Sequence, residues 1–198
     1  MGARSFVTLL IAAIAVQGAA LADSEATGDW SSPVDGLQGR LHIQEDPSFN
    51  GTRMLAVYLE LRNSSELGSP MEIYYDNSNE DGAVCNRAGT MVAAMNGPLD
   101  VIHPKPYWLA LPHDSQLRFR VSWGGFGVPN NGGAMVDMNG GPWLLKRDSN
   151  APYFLSARFH ASKHNDATVT NQWEGTLELP RVQVPLGAVS AAYRTTGP

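Results

Sequence analysis

The alternation of apolar and polar residues in short segments is the feature that most constrains how this chain folds. In residues 55–62, Leu55, Val57, Leu59 and Leu61 alternate with more polar neighbours. Because successive side chains of a strand point to opposite faces, this period of two is typical of a strand with one buried face. Similar patterns occur in residues 37–43, 117–121, 153–160 and 173–179, and residues 71–75 and 108–111 are further predicted short strands.

Short strands without a long amphipathic helix predict an all-β protein. The chain has 20 glycines and 13 prolines, residue types that form turns and interrupt helices. Frequent turns between short alternating strands favour an antiparallel β-sandwich of seven to nine strands. We predict one such domain over residues 36–186, preceded by a flexible segment (23–35) and followed by a C-terminal tail (187–198).

The first 22 residues have the pattern of a secretory signal peptide. Arg4 supplies a positive charge, residues 6–16 are almost entirely apolar, and Ala20-Leu21-Ala22 fits a cleavage site. The apolar stretch is shorter than the roughly 20 residues that span a bilayer, and no later stretch comes close. The pattern therefore predicts a secreted or periplasmic protein without a membrane span.

Charge and cysteine content narrow the classes of partner. The formal net charge is -5, which argues against nucleic acid as a partner. Arg118 and Arg120 share one face of a predicted strand, and we interpret them as a solvated face rather than an anion site. Cys85 is the only cysteine, so no internal disulfide can form, and we predict a buried free thiol.

Several stretches resemble a known group of proteins. Residues 30–41 (WSSPVDGLQGRL), 108–121 (WLALPHDSQLRFRV) and 173–185 (WEGTLELPRVQVP) are similar to segments of uncharacterised exported bacterial β-sandwich proteins. The resemblance spans most of the chain after the leader and implies an immunoglobulin-like β-sandwich in a bacterial envelope. Its motifs are structural, so it implies neither a catalytic residue nor a ligand.

Residues 77–82 have some features of a calcium loop. Asn77, Asn79 and Asp81 place oxygen-bearing side chains at alternate positions ahead of Gly82, as in the first half of such a loop. The twelfth position is Ala88 rather than the bidentate glutamate. A polar turn between strands is therefore the main interpretation and a calcium site the weaker one.

Transition-metal ligands are scattered through the chain. His160 and His164 have the spacing of a metal pair on a helix, but His160 ends a predicted strand. We interpret His42, His103 and His113 as surface groups. Four methionines offer soft ligands suited to copper(I), although methionine also fills irregular cores: Met91, Met95, Met135 and Met138.

Residues 123–143 form a glycine-rich segment with three large aromatic residues, Trp123, Phe126 and Trp143. If exposed, these rings offer flat faces to a sugar or a protein partner, and if folded back they cover the core. Long loops on rigid sandwiches often carry recognition. We therefore predict these three residues as the ligand-binding residues.

These observations predict an exported, non-catalytic binding or structural module of the bacterial envelope, without a cofactor, that contacts an unknown envelope protein or polysaccharide through loop 123–143. One alternative is a carbohydrate-binding module that uses Trp123, Phe126 and Trp143. A further alternative is a hydrolase or a metal-binding protein, although the sequence contains neither G-x-S-x-G nor H-E-x-x-H.

Overall fold

The computed structural model describes residues 25–46, 53–66, 68–76, 78–95, 105–122, 134–139, 141–146, 152–166 and 168–186. Within these residues every regular element is a strand and no helix occurs, which confirms the prediction of an all-β protein. The predicted signal peptide and C-terminal tail lie outside the described residues. The strands are β1 (Glu25–Thr27), β2 (Leu37–Asp46), β3 (Arg53–Asn63), β4 (Met71–Tyr75), β5 (Glu80–Asn86), β6 (Tyr107–Leu111), β7 (Gln116–Arg120), β8 (Ala134–Met138), β9 (Gly141–Leu145), β10 (Tyr153–Ala161) and β11 (Gly175–Gln183).

The large sheet is assembled on β3, the strand with the clearest alternation. Its order is β1-β2-β3-β8-β9, and β2 pairs antiparallel with β3 from Leu37 opposite Asn63 to Asp46 opposite Met54. Two strands share the other edge of β3. β7 pairs antiparallel with its second half, and β8 pairs parallel with its first residues.

Two smaller sheets complete the described fold. A three-stranded antiparallel sheet has the order β11-β10-β5. β4 and β6 form a separate antiparallel pair. The segment before β11 extends this β4–β6 pair, because the Glu72 N–H donates to Asn171 O at 3.0 Å and Glu72 O accepts from the Trp173 N–H at 2.8 Å.

A tight turn joins β2 to the residues before it. Asp35 and Gly36 have φ angles of 47° and 80°, and Val34 and Leu37 exchange two backbone hydrogen bonds of 2.9 Å. Positive φ at both central residues matches the type I′ turn that closes β-hairpins. The turn and β1 thus form a hairpin with β2, and β1 lies within residues 23–35, which were predicted to be a flexible segment.

One main apolar core is shared by all three sheets. Leu59 of the large sheet, Phe159 of the three-stranded sheet and Ile73 of the β4–β6 pair each have 0% exposure in the same cluster. β11 packs against β2, and a Cβ added to Gly39 would lie 2.7 Å from Leu179 Cδ2. Glycine therefore permits this close approach, and the described fold is sandwich-like.

Eleven strands occur in the described residues, which is more than the predicted seven to nine. The additional strands are β1, in the segment predicted to be flexible, β8, in loop 123–143, and β9, which begins in that loop. All five residues of β8 are buried. Because neither face is exposed to solvent, its sequence lacks the apolar–polar alternation from which strands are predicted. Cys85 is free and buried, as predicted.

Candidate functional site

Two aromatic side chains stand on the solvent side of the β4–β6 pair. Tyr74 on β4 lies directly opposite Trp108 on β6. Both are half-buried, whereas their neighbours Ile73 and Leu109 are buried in the core, so strand alternation directs both rings outward. The ring centroids are 5.2 Å apart and the planes meet at 66°, an edge-to-face contact.

His164 completes this surface from the segment that follows β10. Its exposed imidazole stacks on Tyr74, with centroids 4.0 Å apart and planes 4° from parallel. It also contacts Trp108 edge-on at 6.0 Å. We call Tyr74, Trp108 and His164 the aromatic shelf. Since Tyr74 and Trp108 belong to paired strands, the backbone holds two of its three rings in place.

Asp166 lies at the border of the shelf. Its carboxylate accepts hydrogen bonds from the Thr168 N–H at 3.0 Å and from Thr168 Oγ1 at 2.6 Å. These bonds lower the pKa of Asp166, and the nearby His164 and the Trp108 indole add to the effect. The carboxylate is therefore ionised at neutral pH beside the shelf.

Two clefts flank the shelf and share Lys163 and His164 as a common wall. The first cleft, of about 230 Å³, is lined further by Tyr74, Asp76, Ser78, Asn79, His160 and Ser162. The second, of about 390 Å³, is lined further by Asn165, Asp166, Val169, Thr170 and Gln172. Most of these groups are neutral and able to form hydrogen bonds.

Asn79 fixes the floor of the first cleft. Its buried side-chain amide donates to Tyr74 O at 3.2 Å and to His160 O at 2.7 Å, and its Oδ1 accepts from the Asp76 N–H. Its backbone carbonyl accepts from the His160 N–H at 2.6 Å. The turn between β4 and β5 is thus joined to β10, and these hydrogen bonds define the shape of the cleft.

The structure gives the predicted calcium residues different surroundings. Asn77 lies outside the described residues, and Asn79 holds backbone groups together. Asp81 is on β5 rather than in a loop, and its carboxylate faces Arg158 at 3.7 Å. Among the described residues, no group of three or more His, Cys, Asp or Glu side chains is placed to hold a metal ion.

Loop 123–143 is in part a hairpin of β8 and β9. Trp143 on β9 is 3% exposed and packs in the core, so its indole presents no face to a ligand. Trp123 and Phe126 lie outside the described residues. The aromatic residues predicted to bind a ligand are therefore not assembled into one exposed surface within the described part of the chain.

The four methionines considered as copper ligands divide into two groups. Met135 and Met138 are buried at 1% and 2% exposure, whereas Met91 and Met95 are 61% and 40% exposed. His160 and His164 do line the same cleft. The buried methionines serve as core residues, which is the alternative interpretation of their presence.

A buried carboxylic acid directly follows Asn79. Glu80 has 0% exposure, and its Oε1 accepts a 3.0 Å hydrogen bond from the Tyr75 hydroxyl. Burial raises the pKa of Glu80 to about 8 and also raises the pKa of Tyr75. Glu80 is therefore protonated at neutral pH. Since no solvent-exposed surface remains on it, the pair has a structural role.

The outer face of the large sheet carries a second aromatic cluster. Trp30 contacts both Arg40 and Arg62, with each guanidinium carbon 4.4 Å from a ring centroid of the indole. Arg40 also pairs with Glu60 at 2.7 Å. These contacts attach the segment that follows β1 to the sheet, so the cluster stabilises the N-terminal hairpin.

Further groups on this face differ in part from their predicted roles. Arg118 and Arg120 are exposed, as predicted, but Arg118 lies 4.8 Å over the Tyr58 ring and Arg120 pairs with Asp46 at 2.8 Å. His42 was predicted to be a surface group, which is wrong. It is 2% exposed because side chains of the flanking strands enclose it: Thr27 and Glu25 of β1 contact its two ring nitrogens, and the Tyr58 ring of β3 packs edge-on.

Sequence analysis did not single out Tyr74 or Trp108 as site residues. Both occupy predicted strands whose alternate residues are apolar. A large aromatic residue at an outward-facing position of such a strand is the sequence signal that could have identified them as site residues. His164 was considered only as a metal ligand. Its stacking on Tyr74 depends on packing between β10 and the β4–β6 pair, and this packing cannot be predicted from the local sequence.

In comparison with known proteins, the chain matches no family model, no curated protein and no solved structure. Among the described residues, no helix is long and apolar enough to cross a membrane. Inferences about function therefore rest on the geometry of the aromatic shelf and its two clefts.

Proposed function

We propose that this chain is an exported, non-catalytic binding module of a bacterial envelope and that its ligand contacts the aromatic shelf. The observation that carries the proposal is the exposed His164 ring stacked on Tyr74 beside Trp108, where two clefts meet. Surface aromatic rings offer large contact areas at low entropic cost. The leader pattern and the resemblance described above support export and an immunoglobulin-like sandwich.

For Glu80 and Asp166, a binding role fits better than general acid–base catalysis does. General acid–base catalysis requires a group that both reaches the substrate and exchanges its proton near the working pH. Glu80 has a raised pKa but no exposed surface. Asp166 is accessible, but its pKa is lowered, which makes it a poor proton carrier at neutral pH.

The part of loop 123–143 that precedes the buried strand β8 is a second contact surface in this proposal. Trp123 and Phe126 are large aromatic residues of the kind that often contact ligands, and long loops on rigid strands often carry binding residues. Trp143 is omitted from this surface because its ring packs in the core. The aromatic shelf is the primary surface in this proposal, because its ring contacts define its geometry.

The proposal is tested by co-sedimentation of the protein with insoluble bacterial envelope material. We expect Tyr74→Ala to lower the affinity about tenfold, as loss of an aromatic contact residue typically does. Tyr58→Ala is the matched control, because Tyr58 is also a half-buried tyrosine that faces outward from a strand, but on the large sheet. Circular dichroism and thermal midpoints verify that both variants fold.

Equal retention of the wild-type protein and Tyr74→Ala would show that the shelf is not the contact surface. Loss of retention in Trp123→Ala would then move the site to loop 123–143. If the wild-type protein itself is not retained, binding to insoluble envelope material is excluded.

A further inference from the structure

We infer that the ligand of the aromatic shelf is a neutral saccharide chain, with one sugar ring against the shelf and adjoining sugars in the two clefts. The inference rests on the proposed function, because it names the ligand class of the same surface. Three properties of the surface support it: the arrangement of its rings, the chemistry of its lining and its charge.

The rings form a platform of the kind that the apolar face of a sugar contacts. His164 is exposed, while Tyr74 supports it from the other side at 4.0 Å. Trp108 adds an edge-on indole at 6.0 Å from the imidazole. A sugar places its C–H groups on such a ring and keeps its hydroxyl groups at the rim, where they reach polar side chains.

The polar lining matches hydroxyl groups in particular. Ser78 and Ser162 line the first cleft, and Asn165, Thr170 and Gln172 line the second. Each of these side chains both donates and accepts hydrogen bonds. A sugar hydroxyl does the same, so a chain of sugars finds partners on both sides of the shelf.

The charges of the clefts disfavour an acidic ligand. Asp76 lies in the first cleft and Asp166 in the second, and Lys163 lies between them in the wall that both clefts share. A polyanion would meet both carboxylates and a chain of net charge -5. Among saccharide chains, a neutral one avoids this repulsion.

The two clefts also suit an extended ligand. Their volumes of about 230 and 390 Å³ are near the lower end of the roughly 300–1,000 Å³ of sites for small ligands. They meet at Lys163 and His164 rather than lying apart. A chain of small units can therefore occupy both, whereas a single compact molecule would fill only one.

Isothermal titration calorimetry of the protein tests the inference. The probes are cellohexaose, maltohexaose and chitohexaose as neutral chains and an oligogalacturonate of similar length as an acidic chain. We expect a neutral probe to bind and His164→Ala to lower its affinity about tenfold. His113→Ala is the matched control and should bind like the wild type, because His113 is also exposed but lies on the turn after β6 beside Asp114.

The thermal midpoints of both variants verify folding, which replacement of an exposed histidine should preserve. Equal affinity of His164→Ala and the wild type, preference for the acidic probe, or no binding of any neutral probe would each overturn the saccharide inference. In the last case, envelope retention that still depends on Tyr74 would leave the proposed function standing with another ligand class. If the dependence on Tyr74 is also absent, both proposals fail.

Discussion

At the scale of single residues, Glu80 illustrates how burial determines protonation. An ionised carboxylate in an apolar interior carries a large desolvation cost, so the neutral acid is favoured. The Tyr75 hydroxyl donates a hydrogen bond to Oε1, whereas Oε2 has no hydrogen-bond partner among the described residues. Glu80 accordingly retains its proton up to a pH of about 8, against an ordinary pKa of 4.5.

The raised pKa of Glu80 predicts that the fold loses stability as the pH rises from about 5 to 8. Between the unfolded and folded pKa values, the folded state holds a proton that the unfolded state has released. The free energy of unfolding therefore falls as pH rises, by up to about 1.4 kcal/mol per pH unit from this group. We expect Glu80→Gln to remove this contribution, as measured by urea unfolding at several pH values between about 5 and 8.

The comparison between variants isolates this group from other titrating residues. Glu174→Gln is the control, because it removes an exposed carboxyl group and should leave the slope of stability against pH close to that of the wild type. A Glu80→Gln protein with the wild-type slope would contradict the assignment of a protonated Glu80.

At the scale of elements, alternation predicts strands well where one face is buried. β4 has the predicted bounds of residues 71–75. Strand β8 is buried throughout and shows no alternation, and the hairpin at Asp35-Gly36 was missed although its dipeptide is a known hairpin signal. The pairing of Tyr74 with Trp108 depends on which strands meet in the core, so the shelf could not be assembled from local patterns.

The same turn predicts a large cost for a side chain at Gly36. A Cβ there would lie 2.7 Å from Ser65 Cα, and the φ of +80° already disfavours any other residue. We expect Gly36→Ala to reduce the free energy of unfolding by about 2–4 kcal/mol, from strain and steric clash together. Urea unfolding measures the loss.

Gly89→Ala separates the two causes of that loss. Gly89 has a similar φ of +83° but nothing within 4 Å of an added Cβ. It should therefore lose only the cost of left-handed backbone, about 1–2 kcal/mol. Equal losses for the two variants would show that the contact with Ser65 relaxes without cost.

At the scale of the whole molecule, Trp173 joins parts of the chain that belong to different sheets. Its indole N–H donates to Val34 O at 2.9 Å, its backbone N–H donates to Glu72 O at 2.8 Å, and its ring stacks on Phe159 with centroids 6.0 Å apart. The N-terminal hairpin, the β4–β6 pair and the three-stranded sheet thus meet at one side chain.

This arrangement predicts a single cooperative unfolding transition. Far-ultraviolet and near-ultraviolet circular dichroism should give coincident urea curves, because no sheet buries its apolar face without the others. We expect Trp173→Phe to lower the free energy of unfolding by about 1–3 kcal/mol without splitting the transition. Trp30→Phe, on the outer face of the large sheet, should cost less. Separate transitions for the two signals would contradict a shared core.

The edge of β3 that β7 and β8 share has a practical consequence for engineering. Ser122, just after β7, binds the backbone of Val57, and Ala134, the first residue of β8, pairs with Arg53 further back on the same strand. Both ends of the connection 123–133 are thus anchored on β3. Because loop-closure cost grows slowly with length, we expect a reporter domain inserted there to leave both anchors in place.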